Sequence, residues 1–202
     1  MTYATLKADV ADYLARSDLT TQIPLFIKLA ESRIRDMVRV RDMETTDDAF
    51  TVDAQVMVLP TGFLSMRRVI MDSTTSRELT YLPPERFWDS VVSWESGNPE
   101  AFTIEGSNIV FGPSPSTSLT AKMLYTAAYA ALSAETDTNW LLANAYDVYL
   151  YGALAEAKGF IEDDEQANKW LSQFHESVSR VNKSAVRGRI AGPLQRFGHS
   201  AP

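Results

Sequence analysis

Residues 159–166 read Gly159-Phe160-Ile161-Glu162-Asp163-Asp164-Glu165-Gln166, four consecutive acids directly after an apolar run. Two readings compete for them: the ligands or acid–base groups of a reaction site, or the corner at which two helices meet. A hard-cation site draws oxygen ligands that converge from separate segments, whereas four consecutive acids on a helix splay around it. Neither a glycine-bearing loop of EF-hand spacing nor an HExxH stretch accompanies the run. Asp163 with Gln166 three residues later is a variant of the capping box. Asp164 and Glu165 then fall in the first turn, where each complements the helix dipole by ~0.3–1 kcal/mol. The corner reading follows, with Asp163, Asp164 and Glu165 as structural cap residues and Phe160 and Ile161 anchoring the corner in the core.

Outward from that corner the pattern is helical. Upstream, Tyr146, Leu150, Ala153, Leu154, Ala157, Phe160 and Ile161 form one face, and Val148, Tyr151 and Ala155 make the other side apolar too. A helix from Leu141 or Asn144 to Phe160, buried on most sides, is expected. Downstream, Ala167, Trp170, Leu171, Phe174, Val178 and Val181 make a narrower stripe. That predicts an outer helix of ~30 Å at ~1.5 Å per residue. The N-terminus predicts two more amphipathic helices. One carries Leu6, Val10, Tyr13 and Leu14; the other carries Ile23, Phe26, Ile27, Ala30, Ile34, Met37 and Val38. Thr21 as N-cap would put Pro24 in the first turn. Lys28, Glu31, Arg33, Arg35 and Arg39 read as a solvated face.

Between about Met43 and Ala127 the period changes to two. Strands are expected at Ala49–Val52, Gln55–Leu59, Ser65–Met71, Arg77–Tyr81, Ala101–Glu105, Asn108–Phe111 and Leu119–Tyr125, separated by glycine-, proline- and serine-bearing turns. The run "FTIEGSNIVF" (Phe102–Phe111) reads as a tight hairpin. A short helix interrupts the strands, with Pro84 in its first turn and Phe87, Trp88 and Val91 along one side.

The order helices, strands, helices predicts an α+β fold: a helical bundle built by the N- and C-terminal helices, an inserted antiparallel β-rich domain, and an extended C-terminal arm. The expected boundaries are 1–42, 43–127, 128–187 and 188–202. Past Arg187 glycine, proline and lost periodicity mark the arm.

Composition closes several function classes. The absence of cysteine excludes disulfides, thiolate metal sites and a cysteine nucleophile. The opening "MTYATLKADVADYL" lacks the basic and apolar regions of a signal peptide. The longest apolar run, Val148–Ala155, is far short of the ~18 residues of a membrane span, so a soluble chain is expected. From Ser177 to the end there are five bases and no acid, against 14 bases and 26 acids in the preceding 176 residues. An acidic body with a basic arm suits docking on an acidic partner better than general nucleic-acid binding. His175, with Ser172 and Ser179 at turn spacing, lacks the orienting acid and oxyanion donors of a nucleophilic site. Two histidines make a poor zinc set, no phosphate-cradling glycine loop occurs, and neither cofactor nor metal is expected. Trp140, Tyr146, Tyr149 and Tyr151 could stack on bases, but helical spacing among alanines and leucines assigns them to the core.

Several phrases taken in order resemble one family. They are "YLARSDLTTQIPLFIKLAESRI" (Tyr13–Ile34), "LPTGFLSMRRV" (Leu59–Val69), "FTIEGSNIVFGPSP" (Phe102–Pro115), "TNWLL" (Thr138–Leu142), "YLYGALAEA" (Tyr149–Ala157) and "DDEQANKW" (Asp163–Trp170). The chain resembles the head–tail adaptor (connector) proteins of tailed bacteriophages, particularly the short-tailed type, over about Thr2–Arg187. The resemblance implies a non-enzymatic virion protein, assembled in the host cytoplasm, that forms a ring, normally dodecameric, beneath the portal protein. Such a ring extends the channel through which packaged DNA passes without sequence-specific binding, and it offers a platform for tail (nozzle or tail-tube) proteins. It also implies that the arm docks on the portal, through Arg187, Arg189, Leu194, Arg196 and Phe197. The rival readings are a DNA-binding or DNA-packaging accessory module using the basic tail and, behind it, a metal-dependent hydrolase using the acid run.

Overall fold

A computed structural model of the chain describes residues 1–72, 76–91 and 96–189. Its elements in chain order are α1 (Tyr3–Leu14), α2 (Ile23–Met37), β1 (Glu44–Val52), β2 (Val56–Val58), β3 (Phe63–Asp72), β4 (Arg77–Glu78), β5 (Thr80–Tyr81), α3 (Pro84–Val91), β6 (Ala101–Glu105), β7 (Asn108–Gly112), β8 (Leu119–Ala127), α4 (Trp140–Asn144), α5 (Tyr146–Phe160) and α6 (Asp164–Arg189). This is an α+β fold. The described residues divide into two compact units, Met1–Asp42 with those from Tyr129 to Arg189, and those between Met43 and Ala128.

In the helical unit α5 is central and contacts α1, α2, α4 and α6. It buries Val148, Tyr149, Leu150, Ala153, Leu154, Ala155 and Ala157, so neighbours surround it on most sides. The expected helix from Leu141 or Asn144 to Phe160 is observed as α5 preceded by the short α4, the two parted at Ala145, which leaves helical geometry at φ −142°, ψ 58°. The Asn144 amide donates to the Trp140 carbonyl (2.8 Å), a local bond that competes with helix continuation. α1 is capped by Thr2, whose Oγ1 accepts from the Thr5 N–H (3.4 Å) while the Thr2 N–H donates to Thr5 Oγ1 (2.9 Å). Its buried row is Leu6, Val10 and Leu14, at i, i+4 and i+8. Tyr13, expected on that row, is 56% exposed. It stands ~100° around the helix from Leu14 and meets Trp170 edge-on at 6.0 Å.

α2 buries Ile23, Phe26, Ile27, Ala30 and Ile34. Gln22, not Thr21, occupies its N-cap; Thr21 Oγ1 donates to Gln22 Oε1 (2.7 Å), so it does not cap. Pro24 lies in the first turn. Met37 is exposed while Val38, which caps the helix in extended geometry, is buried. The last carbonyls of α2 find side-chain donors: Arg39 Nη1 reaches Arg35 O (2.7 Å) and Val38 O (2.6 Å), and the Asn182 amide of α6 donates to Met37 O (2.9 Å). The face read as solvated is partly engaged. Glu31 Oε1 accepts from the Leu132 N–H at 2.9 Å, and Arg33 pairs with Glu156.

The acid corner joins α5 to α6 with one motif at each end. The Asp163 N–H donates to Lys158 O (3.0 Å) and the Glu162 N–H to Gly159 O (3.1 Å), the bond pair of a Schellman C-cap. Glu162 therefore holds the left-handed position, at φ 59°. Asp163 then serves α6, its Oδ1 accepting from the Gln166 N–H at 3.4 Å. The Asp163 N–H is spent on the C-cap of α5, so the reciprocal arm of a capping box does not form. Phe160, expected in the core, is 55% exposed, although its ring lies 5.4 Å from that of Phe26. α6 has 26 residues, ~39 Å at ~1.5 Å per residue. It reaches Arg189, two residues past Arg187, the expected end of the helical segment.

The β unit holds two four-stranded sheets, ordered β1-β8-β3-β4 and β2-β7-β6-β5. All ladders are antiparallel except β5–β6, so the second sheet is mixed rather than purely antiparallel. Val52, Val69, Met71, Met123 and Tyr125 from one sheet and Phe102, Ile109 and Phe111 from the other form one core. The expected strand Arg77–Tyr81 is split between the sheets. Leu79 at its centre is 4% exposed and bonds Val69 O (2.9 Å), so β4 joins the first sheet and β5 the second. The β6–β7 hairpin pairs Phe102 with Phe111 and Ile104 with Ile109. Gly106, at φ 59°, takes the first turn position, the place of glycine in a II′ turn. Under α3, Phe87 clusters with Ala101 and Val110. Trp88, expected beside it, is 42% exposed and donates from Nε1 to Glu105 Oε1 (2.5 Å).

Candidate functional site

In the acid run, the strongest chemical candidate in the sequence, Asp163 is engaged in structural bonds. Asp163 Oδ2 lies 3.4 Å from Lys158 Nζ, and its other oxygen faces the Gln166 N–H. Glu162, Asp164 and Glu165 are exposed. Among the described residues no group of three or more histidines, cysteines, aspartates or glutamates is placed to hold a metal ion.

His175 is exposed on α6 beside Phe174 (5.6 Å between rings), and Ser172 and Ser179 are exposed as well. The aromatic set that could have formed a base-stacking platform is dispersed. Trp140 stacks on Tyr129 (6.5 Å, 11°), and Tyr151 lies against Trp170 (5.5 Å). Tyr146 donates to Asp9, and burial together with that bond pushes its hydroxyl far above the ordinary value of 10.0. Tyr149 is buried, accepts from the Asn139 amide (2.8 Å), and is pushed up to about 12 by burial. These hydroxyls stay protonated near neutral pH and act as structural bonding groups.

Sequence reasoning missed two acids that hold the helical unit together. Burial raises the Glu31 carboxyl, against the lowering effect of the Leu132 N–H and of Lys28. Asp137 Oδ2 accepts from the Ser133 and Ala134 N–H groups, both at 2.7 Å, and those bonds lower its pKa. The same loop ties down the start of α1, since Tyr3 N–H donates to Asp137 O (2.9 Å) and Ala4 N–H to Glu135 O (3.1 Å). An acid three or four residues after a serine was the available signal for the Asp137 loop.

The basic end begins on α6. Arg180 and Ser177 both donate to Asp147 Oδ2, each at 2.5 Å, so one of the five bases serves the bundle. Lys183 is exposed. Arg187 and Arg189 stand in the last turns of α6; Leu194, Arg196 and Phe197 lie outside the described residues.

The β unit presents a different surface, with eleven acids and five bases between Met43 and Ala128. Val56 and Val58 on β2 are 50% and 70% exposed, and Tyr81 on β5 is 50% exposed. A cleft of about 480 Å³ opens at Phe63, Met66, Arg67, Tyr81, Phe102 and Ile104. The alternation at Val56-Met57-Val58 was readable as a strand, but not as an edge strand with its valines outward.

No helix among the described residues is long and apolar enough to cross a membrane. No curated protein matches the sequence. A family model described as "SU10 adaptor protein" matches residues 1–196. That match covers both units and the basic end, and with it the chain belongs to the SU10 adaptor protein family, a family of bacteriophage adaptors.

Proposed function

We propose that this protein is a structural subunit of the virion head–tail junction. It assembles as a ring, dodecameric by resemblance, beneath the portal protein, extends the DNA channel, and presents a platform to tail proteins. The family match over residues 1–196 carries this reading. The acidic balance supports it, because like charge on a channel wall keeps packaged DNA from adhering. The segment from Arg187 on is the portal-facing element, using Arg187, Arg189, Leu194, Arg196 and Phe197. An arm that orders on binding loses conformational entropy but covers a large surface, and its guanidinium groups pair with carboxylates. The role is architectural, with no reaction assigned to it.

Mixing the full-length protein with the portal protein of the same phage and weighing the complex by native mass spectrometry tests the reading. A ring on the portal is expected, and a chain ended after Arg187 should bind far less. Absence of any complex would remove the proposal. A gel shift at low salt separates the rival DNA-binding reading, which requires binding that falls steeply with salt.

A further inference from the structure

We propose that the C-terminal end of α2 is a second docking surface of this chain. It is built from Arg35, Arg39 and Arg41 with Lys183 of α6, and it takes a carboxylate-bearing protein surface. The inference rests on the portal-docking reading above and extends it from the C-terminal segment to the folded body.

The backbone fixes where these cations stand. α2 ends at Met37, and the chain leaves it in extended geometry at Val38, with φ −84° and ψ 129°. Val38 and Val40 are buried. The two-residue period of extended chain therefore turns Arg39 and Arg41 outward together, and both are exposed. Arg39 folds back along the helix. Its Nη1 donates to Arg35 O (2.7 Å) and Val38 O (2.6 Å), which holds the guanidinium at the last turn of α2. Arg35 is exposed in that turn. The Arg39 N–H donates to Asn182 Oδ1 and the Asn182 amide to Met37 O, both at 2.9 Å. Those two bonds set the segment against α6 one residue before the exposed Lys183. From there α6 runs on to Arg187 and Arg189, so the surface leads along one helix into the segment read as portal-facing.

Capping does not account for the whole cluster. Cations in the last turn complement the helix dipole, and Arg35 and Arg39 serve that end. Arg41 lies beyond it, in the turn Arg41–Met43. Among the described residues Arg35, Arg41 and Lys183 make no side-chain hydrogen bond or ion pair, and Arg39 keeps Nε and Nη2 without one. Guanidinium groups present paired donors that match the fork of a carboxylate. Arginine and methionine are also enriched where proteins meet, and Met37 in the same turn is exposed. The donor fork fits a phosphate as well, but two features favour protein over DNA. Asp36 and Asp42 are exposed among the arginines, so the surface carries both signs. A uniform polyanion meets repulsion there, whereas a protein surface of mixed charge matches it. The chain as a whole carries −7, which opposes the approach of DNA at long range.

Binding of the full-length protein to the portal protein of the same phage, titrated at several salt concentrations, tests the surface. Arg35→Glu/Arg41→Glu should bind about tenfold more weakly, with a shallower salt dependence and an unchanged melting temperature. Each single reversal should give part of that loss. Arg86→Glu, the same change at an exposed arginine of α3, should bind as wild type. If the double reversal melts early, Arg35→Gln/Arg41→Gln carries the same expectation with the charges only neutralised. Wild-type affinity in the Arg35/Arg41 variants would overturn this surface and leave the portal reading intact. A loss in Arg86→Glu equal to that in Arg35→Glu would assign the effect to net charge and overturn it as well. A gel shift of duplex DNA that the double reversal abolishes, with portal binding unchanged, would give the patch to phosphate instead. A wild-type protein that forms no complex with the portal removes both readings.

Discussion

A Cβ built on Gly152 of α5 would stand 2.9 Å from the Ala30 Cβ of α2 and 3.3 Å from the Phe174 ring of α6. Three helices thus come together at a position where only a hydrogen side chain fits. Gly152→Ala gains ~0.5–1 kcal/mol of helix preference but loses ~1–3 kcal/mol to overpacking. A net loss of stability is expected in urea unfolding, with partial recovery when Ala30→Gly is added. A Gly152→Ala protein more stable than wild type would contradict the close contact.

At the corner, Glu162 occupies a left-handed position that favours glycine, while its side chain is exposed. Glu162→Gly should therefore raise stability by ~0.5–1 kcal/mol, since it relieves the Cβ strain at little other cost. Asp163→Ala should lower it by ~0.5–1 kcal/mol, the low end for an N-cap, because the Oδ1 bond is long at 3.4 Å. Opposite signs at adjacent acids, read from denaturation midpoints, distinguish this corner from a ligand site.

Asn182 joins α6 to the end of α2 by accepting from the Arg39 N–H and donating to Met37 O, both at 2.9 Å. Asn182→Ala removes both bonds from a helix C-terminus and should cost ~1–2 kcal/mol. Hydrogen exchange should show the loss first in the last turn of α2. Unchanged protection there would argue against the bridge.

Two acids should give stability opposite pH dependences. Burial holds Glu31 above its ordinary value of 4.5. Its stabilising contribution is present below the unfolded value and lost as pH rises through the folded one. Glu31→Gln keeps an oxygen for the Leu132 N–H, so its advantage over wild type should appear above pH 4.5 and vanish in acid. Backbone N–H groups hold Asp137 below 3.8. Its contribution is present above that value and lost as pH falls through the folded pKa. Asp137→Asn should be less stable than wild type at neutral pH, with the difference closing at the acid end. Melting temperatures from about pH 3 to pH 7 check both; parallel curves for either variant would refute its assignment.

The element types were legible because periodicity alone selects them. The buried stripe of α2, the all-round apolar α5 and the Phe102–Phe111 hairpin follow from spacings of 3.6 and 2. Misassignments arose where two local rules competed for one residue. Glu162 and Asp163 both read as acids before a helix, yet the first closes α5 in left-handed geometry and only the second caps α6. Tyr13, Trp88 and Phe160 read as core by hydrophobicity, but each lies at the margin of its helix's buried face and keeps its ring partly in water.

By itself the sequence determined the α+β order, the absence of thiol chemistry, the contrast between acidic body and basic end, and the family. Those depend on composition and on contacts a few residues apart. Only tertiary structure decided that Leu79 divides one strand between two sheets, that Gly152 admits Ala30, and that β2 ends its sheet with both valines outward. Each depends on which distant segment arrives as a neighbour, and strand partners are chosen by burial and register across the whole unit rather than by any local pattern.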